Sequence, residues 1–294
     1  MEPPTRLDNV PRAQINSIRR EIQAIYDAGT PVFTKDSIRK VGHELERFQK
    51  EGRKDGETIV LRGINGVDYE VLVDPPLSEI IEACENDHVG GSTWIIRYNS
   101  IVSLTRNVEL EHLRLQKAYL PMWICAPIRR IGEFAEFKDP PNPPEEDFNI
   151  YQAIEKQWKA SEHFGQVQEM LASVEIPFTV TKVISLALGP LVLKSRVVER
   201  CTSQHALASV LRQRFSISLN PIVQDPIYTQ RDKNILYSAG FTVLEDPQAL
   251  LELDEFSILL AISPDLPVKD IVADICRPGI IIWNREAPHI RSLW

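Results

Sequence analysis

Residues 180–229 read VTKVISLALGPLVLKSRVVERCTSQHALASVLRQRFSISLNPIVQDPIYT. A β-branched apolar run, Val180–Leu188, ends at Gly189-Pro190. An amphipathic helix is expected over Ser203–Phe215, capped by Thr202 or Ser203, with Ala206, Val210 and Leu211 inward. A second short run, Pro221–Val223, leads into Asp225-Pro226. Strand, helix and strand in that order form a βαβ unit, with a glycine at the first turn and an acid after the second strand.

The pattern continues toward the C-terminus. A helix over Tyr228–Ala239 is closed by Gly240, and the strand Phe241–Leu244 and the short helix Pro247–Leu253 follow. Phe256–Ile262 reads as an apolar strand, Val268–Ile275 as a helix and Gly279–Trp283 as a last strand. Strands that are almost wholly apolar and alternate with helices imply a parallel sheet covered on both faces. The expected class is α/β, a Rossmann-like, doubly wound, mostly parallel sheet.

On the N-terminal side, Ile154, Trp158, Ser161, Phe164, Val167 and Leu171 predict one long helix over Ile150–Val174. Asp139–Asp147, DPPNPPEED, holds four prolines and a cluster of acids, which reads as a linker or surface loop. The expected organisation is therefore an N-terminal α+β extension over 1–138, the proline-rich segment 139–149, and the sheet domain over 150–294. The extension begins with a helix over Ala13–Ala28. Thr34 opens a second, with Ile38, Val41, Leu45 and Phe48 on its apolar stripe. Thr58–Leu61 and Tyr69–Val73 flank Asn65-Gly66 as a hairpin. A short helix at Leu77–Cys84, a β-rich stretch at Trp94–Leu104, a helix at Val108–Lys117 and an extended run at Met122–Ile128 complete it.

Hydrophobic residues at 43% and charged residues at 25% of 294 suit a soluble globular chain. A net charge of −8 gives no electrostatic help toward nucleic acid, and direct nucleic-acid binding is not expected. Lys194, Arg196, Arg200, Arg212 and Arg214 are the one local basic candidate, read as a solvated helix face. Cys84, Cys125, Cys201 and Cys276 are too scattered for a zinc site or a disulfide framework, so thiols in a reducing compartment are expected. With no apolar leader at the start and no apolar run near ~20 residues, the expected location is cytoplasm and/or nucleus, without membrane association. The five tryptophans read as core.

Ligands of such sheets bind beyond the carboxyl ends of the strands. Those ends are Gly189-Pro190, Asp225-Pro226, Ser263-Pro264-Asp265 and Asn284-Arg285. Gly189, Asp225, Ser263 and Asp265 are the candidate cofactor-binding residues. Gly189 can let a phosphate or adenosine approach the backbone, and Asp225 can accept from a ribose. Against this, the turn has one glycine rather than GxGxxG, and Pro190 removes an amide donor. A tight turn at Gly189 and an Asx turn or helix cap at Asp225 are the structural readings of the same residues. Asp265 suits an acid or base role, or a turn into the next helix. His205, on the helix after the glycine turn, is expected to be partly exposed rather than a base. No histidine has metal-ligand spacing, and HExxH, GxSxG and Walker loops are missing. No catalytic residue, metal or named cofactor is assigned.

Leu186-Ala187-Leu188-Gly189, Gln204–Ala208, Gln224-Asp225-Pro226-Ile227-Tyr228-Thr229, Leu236–Leu244 and Ile280–Asn284 together resemble the family named for sensitivity to red light reduced, over about Phe178–Arg285. The N-terminal part is similar only to fungal relatives, which implies a fungal source. The resemblance implies a regulatory protein without established catalytic activity, acting with protein partners. Members are linked to circadian timing, transcription, stress response and haem biosynthesis. This chain departs from the family at two points: a second glycine is missing from the first turn, and Ser263-Pro264-Asp265 stands where the family often has Pro-His-Cys. The competing reading is a nucleotide- or S-adenosylmethionine-binding transferase that uses Gly189 and Asp225. A haem binder would need an axial ligand, and no haem motif is present.

Overall fold

A computed structural model describes residues 12–52, 54, 56–73, 94–106, 117–125, 145–192 and 196–284. They fall into two compact units, one of 1–137 with 266–276, the other of 138–265 with 277–294.

The first unit starts with α1 (Arg12–Asp27) and α2 (Lys35–Glu51). Thr34 caps α2 in a reciprocal box: its Oγ1 accepts from Ser37 N at 3.0 Å, and Ser37 Oγ accepts from Thr34 N at 3.0 Å. The expected stripe Ile38, Val41, Leu45 and Phe48 is buried. β1 (Thr58–Arg62) and β2 (Asp68–Leu72) form the antiparallel hairpin, turning at Gly66 with φ +75°. β3 (Ile95–Tyr98) pairs antiparallel with β4 (Met122–Cys125). Between them comes α3 (Ile101–Arg106), so the β-rich reading of Trp94–Leu104 holds only as far as Tyr98. The chain turns there because Ser100 Oγ accepts from Ser103 N at 2.9 Å and nucleates the helix. The helix expected at Leu77–Cys84, nearly all of that at Val108–Lys117, and the end of Met122–Ile128 lie outside the described residues.

The second unit opens with α4 (Glu145–Lys159) and α5 (Glu162–Ser173). The single long helix is thus two. Ser161 ends the continuity by using its side chain as a cap, accepting from Phe164 N at 3.2 Å. Of the segment 139–149, residues 145–149 belong to α4, with Glu145, Glu146 and Asp147 in its first turn, where acids suit the positive end of the helix; 139–144 lie outside the described residues. Next come β5 (Lys182–Leu186), α6 (Arg196–Arg214), β6 (Ile222–Gln224), α7 (Gln230–Ser238), β7 (Thr242–Val243), α8 (Gln248–Leu251), β8 (Ser257–Ala261), α9 (Val268–Ile275) and β9 (Ile280–Trp283). Thr202 and Ser203 lie inside α6 rather than at its cap: residues 196–202 already have the helical hydrogen-bond pattern, and Ser203 Oγ donates back to Glu199 O.

The sheet is all parallel, in the order β7-β6-β5-β8-β9. It is the α/β, Rossmann-like arrangement expected. Its register sets Ile184 beside Ile222 and Leu259, and Ser185 beside Val223 and Leu260. Side chains alternate between faces, so Val183, Val223, Ile258 and Leu260 share the face that packs with Leu211, Ile235 and Leu236 of α6 and α7. Ile184, Leu186 and Leu259 on the other face are equally buried. From β5 the chain winds outward through β6 to β7, then crosses to β8 on the other side of β5. The topological switch point is therefore between β5 and β8.

α9 groups with the first unit. Asp274 Oδ2 accepts from Val32 N at 2.8 Å and Phe33 N at 3.0 Å, and Asp270 Oδ2 accepts from Ile101 N at 3.0 Å. Burial raises the Asp274 pKa, partly offset by the two amides.

Candidate functional site: the carboxyl edge of the sheet

Beyond β5 the chain makes a left-handed bend. Ala187 has φ +56° and donates its N–H to Gln224 O at 2.9 Å. Gly189 follows with φ +81°, and a Cβ placed there would lie 2.5 Å from Cys201 Sγ. Backbone conformation and available space therefore both require glycine at this position.

Two aspartates hold this loop. Asp225, just past β6, accepts from Gly189 N through Oδ2 at 2.8 Å and from Ile227 N through Oδ1 at 3.0 Å, the second bond being an Asx turn. Asp232 sits in the first turn of α7 and is 0% exposed. Its Oδ1 accepts from two successive loop amides, Leu191 N at 2.7 Å and Val192 N at 2.9 Å. Its Oδ2 accepts from Thr229 N and from Thr229 Oγ1, both at 2.7 Å. This box moves the start of α7 to Gln230, two residues later than the helical period alone predicts, because Thr229 is engaged as the cap.

Under the loop lies His205, 0% exposed. The expectation of a partly exposed histidine is overturned: the spacing Cys201–His205–Ala208 puts it on the face of α6 turned into the core. Nδ1 is 2.7 Å from Cys201 O and Nε2 is 2.7 Å from the Tyr228 hydroxyl. A carbonyl only accepts, so Nδ1 carries the proton and Nε2 accepts from Tyr228. Burial pushes the His205 pKa down to about 4 and the Tyr228 pKa well above its ordinary value. Burial also lifts the Cys201 thiol to about 11, which leaves it protonated and inert at neutral pH. Cys201, His205 and Tyr228 are thus a neutral, internally bonded set, not a nucleophile with its base.

The structure brings Gly189 and Asp225 together, bonded to each other. Ser263 and Asp265 lie at the exit of β8, both exposed. Ser263 has φ +52° and its N–H donates to Asn284 Oδ1 at 2.6 Å, at the exit of β9. Sequence reasoning missed Asp232 and Tyr228. A signal was present, since Thr229-Gln230-Arg231-Asp232 has the spacing of a helix-capping pair.

The basic candidate divides. Arg212 donates through Nε to Ile217 O at 3.3 Å and through Nη2 to Ser218 O at 3.0 Å. Arg214 donates through Nε to Leu171 O at 3.0 Å and through Nη2 to Val174 O at 3.1 Å. Arg212 ties down the segment that follows α6 and Arg214 the end of α5, although Arg214 itself remains exposed. Arg200 is exposed, and Lys194 and the Arg196 side chain lie outside the described set. Trp94 and Trp123 are core as expected, but Trp283 is 41% exposed. In the first unit, a groove of about 270 Å³ is lined by Lys40, Arg62, Asp36 and Asp68 among others; two bases and two acids give it no single sign of charge. Among the described residues, no three His, Cys, Asp or Glu are placed to hold a metal ion, and no helix is long and apolar enough to cross a membrane.

No curated protein and no solved structure is detectably similar to this chain. A family model, the SRR1 domain, matches residues 166–290. The match encloses all five strands of the parallel sheet and both aspartates that hold the β5–α6 loop. Residues 166–290 of this chain are therefore an SRR-like domain.

Proposed function

We propose that this SRR-like protein is a regulatory protein that acts in the cytoplasm or nucleus by binding protein partners, with no adenosine cofactor at the carboxyl edge of its sheet. The SRR1 domain supports the regulatory type. The observation that carries the cofactor-free part is the internal use of the groups a cofactor would address: the Gly189 amide and both Asp225 oxygens are bonded within the chain. A dinucleotide needs those amides for its phosphates and such an acid for its ribose.

The test has two arms. Thermal unfolding of the full chain is followed with nucleotides, dinucleotides and S-adenosylmethionine, and no shift is expected. A ligand at ~100 times its Kd would add about 2.7 kcal/mol, so a saturable stabilisation by any of them overturns the cofactor-free reading. Crosslinking in cells followed by mass spectrometry should return the same protein neighbours from independent preparations, and their loss in a chain lacking residues 166–290 assigns them to the SRR1 domain. Crosslinks indistinguishable from those of an unrelated acidic protein overturn partner binding.

A second reading, a nucleotide- or S-adenosylmethionine-dependent transferase, has one observation in its favour. Ala187 and Ser263 are non-glycine residues with φ of +56° and +52°, at the ends of the two strands that flank the switch point. Strained backbone of this kind gathers at functional sites. The same ligand panel decides it.

A further inference from the structure

Two successive amides, Leu191 N and Val192 N, converge on a single oxygen, Asp232 Oδ1, at 2.7 and 2.9 Å. Converging backbone amides at the turn after the first strand are how sheets of this class hold phosphate. Here the oxyanion comes from the chain itself. Asp232 is the first-turn acid of the helix after the next strand, and the fold delivers it fully buried into the loop after β5. The adjacent amide at Gly189 is closed in the same manner by Asp225, and position 190 is proline, which has no N–H.

We propose that the Leu191-Val192 turn after β5 is an oxyanion nest whose occupant is this chain's own Asp232 carboxylate, so that an external oxyanion, a small carboxylate or phosphate, enters only when Asp232 is removed. The inference rests on the cofactor-free reading of this edge and explains it: the nest is intact but filled. Thr229 completes the arrangement by holding Asp232 Oδ2 from the other side, which fixes the carboxylate in the nest.

The experiment uses full-length Asp232→Ala. Its melting temperature is measured with sodium formate, acetate or phosphate against chloride at equal ionic strength. The variant should melt well below the wild type and regain at least half of the loss, saturably, with formate or acetate. Rescue by phosphate as well would show that the nest also takes the larger anion. The wild type should show no such anion effect. Asp225→Ala leaves the Leu191 and Val192 amides filled and vacates only the single Gly189 amide, so its anion gain should be smaller than that of Asp232→Ala. No anion-specific gain in Asp232→Ala, or an equal gain in the wild type, overturns the proposal. A second measurement does not depend on a variant that folds. In the wild type, the Leu191 and Val192 amides should exchange hydrogen about 100-fold more slowly than unstructured amides, and exchange at the unprotected rate is equally fatal. Wild-type stabilisation by an adenosine compound would overturn the proposed function; failure of anion rescue overturns only this inference.

Discussion

His205 and Tyr228 share a 2.7 Å hydrogen bond in the core of the SRR1 domain, with the phenol donating because the imidazole Nδ1–H is already engaged by the Cys201 carbonyl. The bond joins the middle of α6 to the segment between β6 and α7. That segment also carries Asp225 and leads into Asp232, so the position of both aspartates depends on it. A polar pair of this kind is stabilising only while both members are satisfied and neutral.

Acid should therefore unfold the SRR1 domain through His205. Its ordinary pKa is 6.5 and its folded value is about 4, lowered by burial. The folded state binds fewer protons than the unfolded state between those values. The contribution is complete above pH 6.5 and is lost as the pH falls toward 4, by about 1.4 kcal/mol per unit and about 3 kcal/mol in all. Asp274, in the other unit, has a raised pKa and acts in the opposite direction, favouring the folded form at low pH. Comparison with His205→Gln isolates the histidine. Denaturant midpoints from pH 7 to 4 should fall more steeply for the wild type than for the variant, and parallel curves would refute the assignment.

Tyr228→Phe keeps the ring and removes the donor. It leaves the His205 Nε2 lone pair buried without a partner, which costs about 1–3 kcal/mol. The loss should appear in urea unfolding with an unchanged slope, since the compactness of the two end states is not altered. A variant as stable as the wild type would mean that the pair is not formed in solution.

Gly189→Ala meets two obstacles. The residue must keep φ +81°, and its new methyl must share space with Cys201 Sγ at 2.5 Å. The left-handed conformation costs roughly 1–2 kcal/mol and the overlap a further 1–3 kcal/mol. Cys201→Ala in the same chain removes the sulfur and should recover the overlap part only. Full recovery, or none, would show that one of the two obstacles is not present.

The apolar strand runs and the glycine turn made the parallel sheet legible, because a strand buried on both faces leaves an unbroken hydrophobic signature. Asp225 was legible as an Asx turn for the same local reason: Asp-Pro is a turn in any context. What could not be read was long-range. That Asp232 reaches Leu191, 41 positions earlier, depends on which helix packs beside which loop. His205 looked like a surface residue because a polar side chain in an amphipathic helix is ordinarily outward, and its partner Tyr228 lies 23 positions away. The break at Ser161 was hidden by apolar periodicity that continues in phase across it, although the serine cap was there to be weighed.

Arg214 supplies a prediction that separates a structural role from a basic surface. Its guanidinium forks to Leu171 O and Val174 O at the end of α5, where Leu171 O also accepts from the capping Val174 N at 3.3 Å. Arg214→Lys keeps the charge and loses the fork, so it should cost nearly as much stability as Arg214→Ala, about 1 kcal/mol for each. If the residue belonged instead to an electrostatic surface, lysine would be neutral and alanine would alter retention on a polyanion column. Thermal melts of both variants beside a heparin elution profile decide between the two. Equal destabilisation with unchanged elution is the expected outcome, and a stable alanine variant with reduced retention would restore the basic-face reading.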